Sequence, residues 1–359
     1  MKILFLLERL SASIKDQIRL RLGIVVVCYT TLLILIFFCG IYSWCYQWKR
    51  YIYGVLYTVD EDTGGMSNNI FEMISFIGIA KSLNRIPVIT ERGSEHLARD
   101  HWQFVNLLDA VEIGMKRPWL ANITDVTFPT YCCRYTNHSI FESHKDKEVL
   151  RLRLHYAQSY KYFLSLSRDE VLNLLELRSD VKMEANGLVK SNVLERADYR
   201  ICVHTRRGDF LNDFHAHSTE EFTLPATEML VARARKKGSH NPLVVLFGDE
   251  HDWIKNIFTN TRRKASFNHV IAGEGQEYWP VAEWEFAKRN CDSVLLTASA
   301  STFGWFLSYH SPDQDEIFYN KVYEKPPGMY DEFDPLDFFP PQWKAVDVID
   351  GKGYFRKSG

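Results

Sequence analysis

Residues 201–210 read ICVHTRRGDF: an apolar run from Ile201 to Val203 passes into His204, two adjacent arginines, a glycine and an aspartate. An apolar run of this length, ending where glycine permits a sharp turn, reads as a buried strand. The stretches beyond it repeat the pattern. PLVVLFGDE (242–250), NHVIAGE (268–274) and DSVLLTAS (292–299) read as strands. PATEMLVARARKKG (225–238), DWIKNIF (252–258), VAEWEFAKRNC (281–291) and STFGWFLSYH (301–310) read as helices. Strands alternating with helices at this spacing predict an α/β fold with a parallel sheet. Ligands of such sheets bind at the carboxyl ends of the strands. That rule selects His204–Asp209, Gly248–Glu250 and Ala298–Thr302.

Upstream, DTGGMSNNIFEMISFIGIAKSLNRIPVIT (62–90) is a glycine loop opening a helix that Pro87 ends, with a strand at Val88 and Ile89. Residues 95–190 are harder to read, although DEVLNLLELRSDVK (169–182) has the pattern of one helix. The last stretch, rich in proline and aromatic residues, reads as an ordered tail.

A 23-residue run without charge, Leu22 to Trp44, is long enough to cross a bilayer as a signal anchor. Basic residues dominate before it and acidic ones follow at Asp60, Glu61 and Asp62, which predicts a cytosolic N-terminus and residues 45–359 on the far side. The sequons at Asn122 and Asn137 agree with that side. So does the oxidising compartment, where Cys132, Cys133, Cys202 and Cys291 allow one or two disulfides. Cys202 reads equally as a bridge or a small core residue. The net charge of -2 gives no basic excess for a nucleic-acid partner.

Four constellations carry candidate chemistry. Arg206 and Arg207 offer planar forks of donors suited to a diphosphate, against a plain salt-bridge corner. Arg207-Gly208-Asp209 also spells an adhesion triplet, which requires an exposed flexible loop. Ser301 and Thr302 open a helix whose N-terminus favours an anion. Asp249 ends a strand within reach of a nucleoside. Asn68, Asn69 and Glu72 stand in the opening loop and first turn, Glu72 being either a general base or a first-turn acid. Asp313-Gln314-Asp315 has the letters of a metal motif but sits in a polar loop, so no metal is expected.

These motifs resemble the α-1,2-fucosyltransferase family. HTRRGDF is similar to its His-x-Arg-Arg-Gly-Asp motif, GGMSNNIFEMISFIGIAKSLNR to its glycine-rich opening and helix, TFGW to its Thr-Phe-Gly-Trp segment and FFPPQW to its common ending. The matches run in order over residues 64–344. The resemblance implies a GT-B-type fold of two Rossmann-like domains behind one transmembrane helix. The expected parts are a cytosolic tail (1–21), anchor (22–44), stem (45–60), acceptor-side domain (61–190), donor domain (191–325) and packed tail (326–359). It implies inverting, metal-independent transfer of fucose from GDP-fucose to the 2-hydroxyl of a terminal galactoside, without a cofactor, in a single-pass type II Golgi membrane protein whose main domain is lumenal. Arg207 then contacts the β-phosphate, with His204 and Arg206 supporting. Ser301 and Thr302 hold the diphosphate, Asp249 contacts the nucleoside, and Glu283 or Glu285 binds guanine. Glu72 takes the base position, and Asn68 and Asn69 the acceptor loop. Ser67 and Asn69 replace the family's glycine and glutamine, which leaves as alternative a weak or inactive homologue serving as a Golgi binding or scaffold protein.

Overall fold

The computed structural model describes residues 21, 25–38, 49–114, 122–128, 131–259, 267–325 and 332–355. The chain divides at Arg50 into two units. In the first, residues 25–38 are helical with exposed apolar side chains. The anchor expected over 22–44 lies partly outside the described residues, and among these no helix is long and apolar enough to cross a membrane.

The second unit, Tyr51–Gly359, holds two sheets. The first has the order β3-β2-β1-β5-β4, all parallel: β1 is Tyr51–Leu56, β2 Ile86–Ile89, β3 Glu112–Ile113, β4 Ile123–Val126 and β5 Val149–Leu154. The second has the order β12-β11-β10-β9-β6-β7-β8. Its strands are β6 Tyr199–Thr205, β7 Pro242–Gly248, β8 Asn268–Ile271, β9 Ser293–Leu296, β10 Ile317–Asn320, β11 Lys344–Ile349 and β12 Lys352–Phe355. Among the described strand pairs of this sheet only β11–β12 is antiparallel. The α/β class and the parallel sheet are those the strand–helix rhythm predicts. At the centre of the second sheet β6 is flanked by β7 and β9 in parallel register, which aligns the carboxyl ends of all three on one edge.

Three boundaries differ from the expectation. Tyr51–Leu56, assigned to the stem, is the central strand of the first sheet; every second side chain is buried, and the six-residue run carries too little pattern to be read as a strand. The helix expected over 169–182 is two helices, Arg168–Leu174 and Ser179–Gly187. Between them the Glu176 carbonyl accepts from the Val105 N–H, and Leu177 bridges to Phe104. The tail adds β11 and β12 to the second sheet instead of only covering it.

The Met66–Ser82 helix is buried on every face from Asn69 to Ala80. Phe71 meets Trp305 at 4.9 Å, Phe306 at 5.4 Å and Phe338 at 6.1 Å. Trp305 in turn packs on Trp343 at 5.2 Å and donates from Nε1 to the Phe338 carbonyl at 3.0 Å. The helix opening, the TFGW segment and the FFPPQW ending therefore share one core.

Candidate active site

A cavity of about 560 Å³ opens where the two sheets' carboxyl edges meet. One wall carries Gly65, Ser67, Asn68, His155, Tyr156 and Gln158; the other carries Arg206, Asp209, His215, Ser301, Thr302 and Phe303. A volume of this order suits a drug-sized or nucleotide ligand. A second cavity, about 630 Å³, lies beside Glu220, Glu221 and Asp347 and shares none of these residues.

The arginine loop is built from β6 outward. Gly208 allows the chain to fold close to β7, since a Cβ there would stand 2.7 Å from Asp249 Oδ2. Asp249 accepts from the Arg207 N–H at 3.0 Å and faces Arg206 Nη1 at 3.3 Å. The Arg206 guanidinium also pairs with Asp209 at 2.8 Å, and its side chain, 36% exposed, lines the cavity. Arg207 turns the other way. Its Nε donates to Glu250 at 2.9 Å, its Nη1 to the Ser218 carbonyl at 2.9 Å, and the guanidinium lies 4.4 Å over Trp253. Both arginines are thus held in ion pairs, Arg206 with Asp209 and Asp249 and Arg207 with Glu250. The side chain placed on a cavity wall is Arg206, not Arg207, because Glu250 and Trp253 provide a better-matched site behind the loop. The same contacts keep the Arg207-Gly208-Asp209 triplet from presenting its arginine as an adhesion loop would.

Ser301 caps the Thr302–His310 helix by accepting from the Gly304 N–H at 3.3 Å. The first N–H groups of a helix have no intrahelical acceptor, so this end is an electropositive wall. Thr302 Oγ1 donates to Asn68 Oδ1 at 2.7 Å, which also accepts from Gln158 Nε2 at 2.9 Å. This chain of bonds crosses the cleft. His204 lies beneath, 3% exposed, with Nδ1 unpartnered and a Cβ on Gly304 reaching to 2.7 Å of it. Burial, with Arg206 nearby, pushes its imidazole down to about 3, so it is neutral and underpins the helix start.

Glu72 is fully buried and absent from the cavity wall. Its Oε2 accepts from Thr58 N at 2.8 Å and Thr58 Oγ1 at 2.7 Å, while burial pushes its carboxyl up to about 7. The helix is enclosed on all sides here, so Glu72 holds the start of the short Tyr57–Asp60 helix. Asn69 is likewise buried, its side chain 2.7 Å from His96 Nε2. Asp62, His96 and Asp100 could group around a cation, but the Arg99 guanidinium contacts all three at 2.8–3.1 Å. Of the two guanine candidates, Glu285 is paired with Arg289 at 2.5 Å. Glu283 instead accepts from Tyr278 at 2.8 Å two residues beyond the cavity-lining Val281; burial, then Asp249, pushes its carboxyl up to about 8. Asn122 and Asn137 are exposed.

Residues that sequence reading missed include His155, Tyr156 and Gln158. They follow β5, whose alternation VLRLRL was the available signal, since strand ends of parallel sheets carry the site. Tyr156 and Ala157 adopt φ of 63° and 49°, a left-handed turn costing about 1–3 kcal/mol per residue that aims Gln158 at Asn68. Cys132 and Cys133, on the same wall, are paired with each other, and Cys202 with Cys291.

The glycosyl transferase family 11 model matches residues 41–326. A galactoside 2-alpha-L-fucosyltransferase of Caenorhabditis elegans is 32% identical over 81% of this chain and 76% of its own length. A second, from the same organism, is 29% identical over 79% of this chain and 77% of its own length. An Arabidopsis thaliana FUT1 mutant in complex with GDP superposes with a TM-score of 0.45 at 11% identity, covering 76% of this chain and 70% of that one.

Proposed function

We propose, since this chain belongs to glycosyl transferase family 11, that it transfers L-fucose from GDP-fucose to the 2-hydroxyl of a terminal galactoside, with inversion at the sugar carbon and without metal. The observation that carries the reading is the convergence of the Arg206 guanidinium and the Ser301–Thr302 helix start on one cavity. Together they supply a bidentate cation and oriented N–H groups, the two elements that bind a diphosphate and stabilise it as it departs. Arg206 therefore takes the phosphate role that the motif alone placed on Arg207. Arg207 and Asp249 hold the loop in shape, and His204 supports the helix from below. Glu283, behind the cavity-lining Val281 and bonded to Tyr278, is the acid we assign to guanine, reached when Tyr278 turns aside. Asn68 stands at the boundary of donor and acceptor.

The uncharged run before residue 45 and the exposed sequons support a type II Golgi membrane protein with a lumenal main domain, N-glycosylated at Asn122 and Asn137. The test is incubation with GDP-fucose and a panel of galactosides, reading GDP release and identifying the product linkage. Release with transfer to the 2-hydroxyl is expected. No release with any acceptor rejects the reading in favour of a binding or scaffold protein.

A further inference from the structure

We infer that His215, held by Asp213, is the base that takes the acceptor hydroxyl's proton. The inference rests on the fucosyl-transfer reading and assigns its missing step, since Glu72 is enclosed and bonded to Thr58. His215 lines the same cavity as Arg206 and Thr302. Its Nδ1 lies 2.8 Å from Asp213 Oδ2, and its backbone N–H donates to Asp213 Oδ1 at 2.7 Å, so one carboxylate holds the residue at two points. A carboxylate only accepts, so the proton of the neutral ring sits on Nδ1 and Nε2 carries the lone pair. Nε2 makes no hydrogen bond among the described residues.

The ring is fixed as well as polarised. It stacks on Phe210 at 4.5 Å and 15°, with Phe214 at 4.3 Å. The loop bearing it is pinned to the strand-like segment opposite: Ala216 N donates to the Tyr323 carbonyl at 3.0 Å, Lys325 N to that of Phe214 at 2.7 Å, and Lys325 Nζ to that of Phe210 at 2.7 Å. A cavity-lining histidine oriented by a carboxylate, in contact with two aromatic rings and with Nε2 unengaged among the described residues, is built for proton transfer.

In the step, the acceptor oxygen attacks the fucose anomeric carbon as its O–H proton passes to His215 Nε2. The carbon–oxygen bond to the β-phosphate breaks, and its electron pair leaves on GDP beside Arg206. The imidazolium is stabilised by Asp213 and later releases its proton to water.

The test compares the full chain with His215→Ala, His215→Gln and Asp213→Asn, measuring kcat for transfer, GDP affinity and rescue by added imidazole. His215→Ala and His215→Gln are expected to lower kcat about 10²–10⁴-fold while GDP affinity stays within about twofold. Imidazole is expected to restore part of the His215→Ala rate, and Asp213→Asn to lower kcat without changing acceptor KM. Wild-type kcat in either His215 variant, equal losses of kcat and GDP affinity in both, or no rescue overturns the assignment. Absence of turnover by the unmodified chain, with GDP still bound, rejects fucosyl transfer itself and the base with it.

Discussion

Arg206 and Arg207 are neighbours of one chemistry with opposite surroundings. Arg206 shares its charge with two carboxylates on an open wall, which a diphosphate can replace; Arg207 is locked by Glu250, Ser218 and Trp253. Arg206→Lys is expected to cost about 10²–10³ in kcat, the scale of losing one transition-state donor, with little change in melting temperature. Arg207→Lys is expected to lower stability by about 1–2 kcal/mol through the lost fork and stacking, with a smaller kinetic effect. The reverse order in kinetic and thermal measurements returns the phosphate role to Arg207. Glu72 makes a separate prediction. Its folded-state carboxyl titrates at about 7 against an ordinary value of 4.5. The folded chain thus holds a proton that the unfolded chain has released, and stability falls as pH rises from about 4.5 to about 7. Glu283, at about 8, acts with the same sign. Glu72→Gln should gain stability relative to the unmodified chain across that window, and denaturant titrations at pH 5 and pH 8 measure the difference.

The Thr302–His310 helix is where motif letters become geometry. Ser301 caps it, Thr302 reaches across the cleft, Gly304 admits His204, and Trp305 anchors it in the shared core. Gly304→Ala sets a methyl 2.7 Å from the His204 ring, within a core where neither can yield. The expected result is a loss of about 1–3 kcal/mol by overpacking. GDP affinity should weaken with it, because the displaced helix start is the phosphate wall of the proposed function; calorimetry and thermal unfolding read the two effects. Unchanged GDP affinity in a destabilised variant would separate the helix start from phosphate binding. Elements with long, bounded patterns, β6, β7 and β9, were legible from sequence. β1 and the break at Leu175–Arg178 were not, because their partners lie far along the chain.

Of the two apolar clusters in the second unit, the larger runs from Ile52 in the first sheet to Trp343 in the tail. The two sheets therefore share a core beneath the cleft, and Asn68 joins them above it through Thr302 and Gln158. The halves should unfold together. A single transition seen by both circular dichroism and tryptophan fluorescence is expected, and two separated transitions would show independent domains. Asn68→Ala removes the acceptor of two bonds; a stability loss of about 1–2 kcal/mol is expected, with acceptor KM raised more than GDP affinity is weakened.

By itself the sequence determined the α/β class, the strand ends that carry the site and the family resemblance. Those follow from periodicity, turn residues and ordered motifs, all local along the chain. Only the tertiary structure decided which arginine faces the cavity, since Glu250 and Trp253 lie more than forty residues from Arg207. It likewise enclosed Glu72 and brought His155, Gln158 and His215 to one cavity. A side chain's direction is set by the partners that fold against it, and those partners come from distant elements that no local pattern specifies.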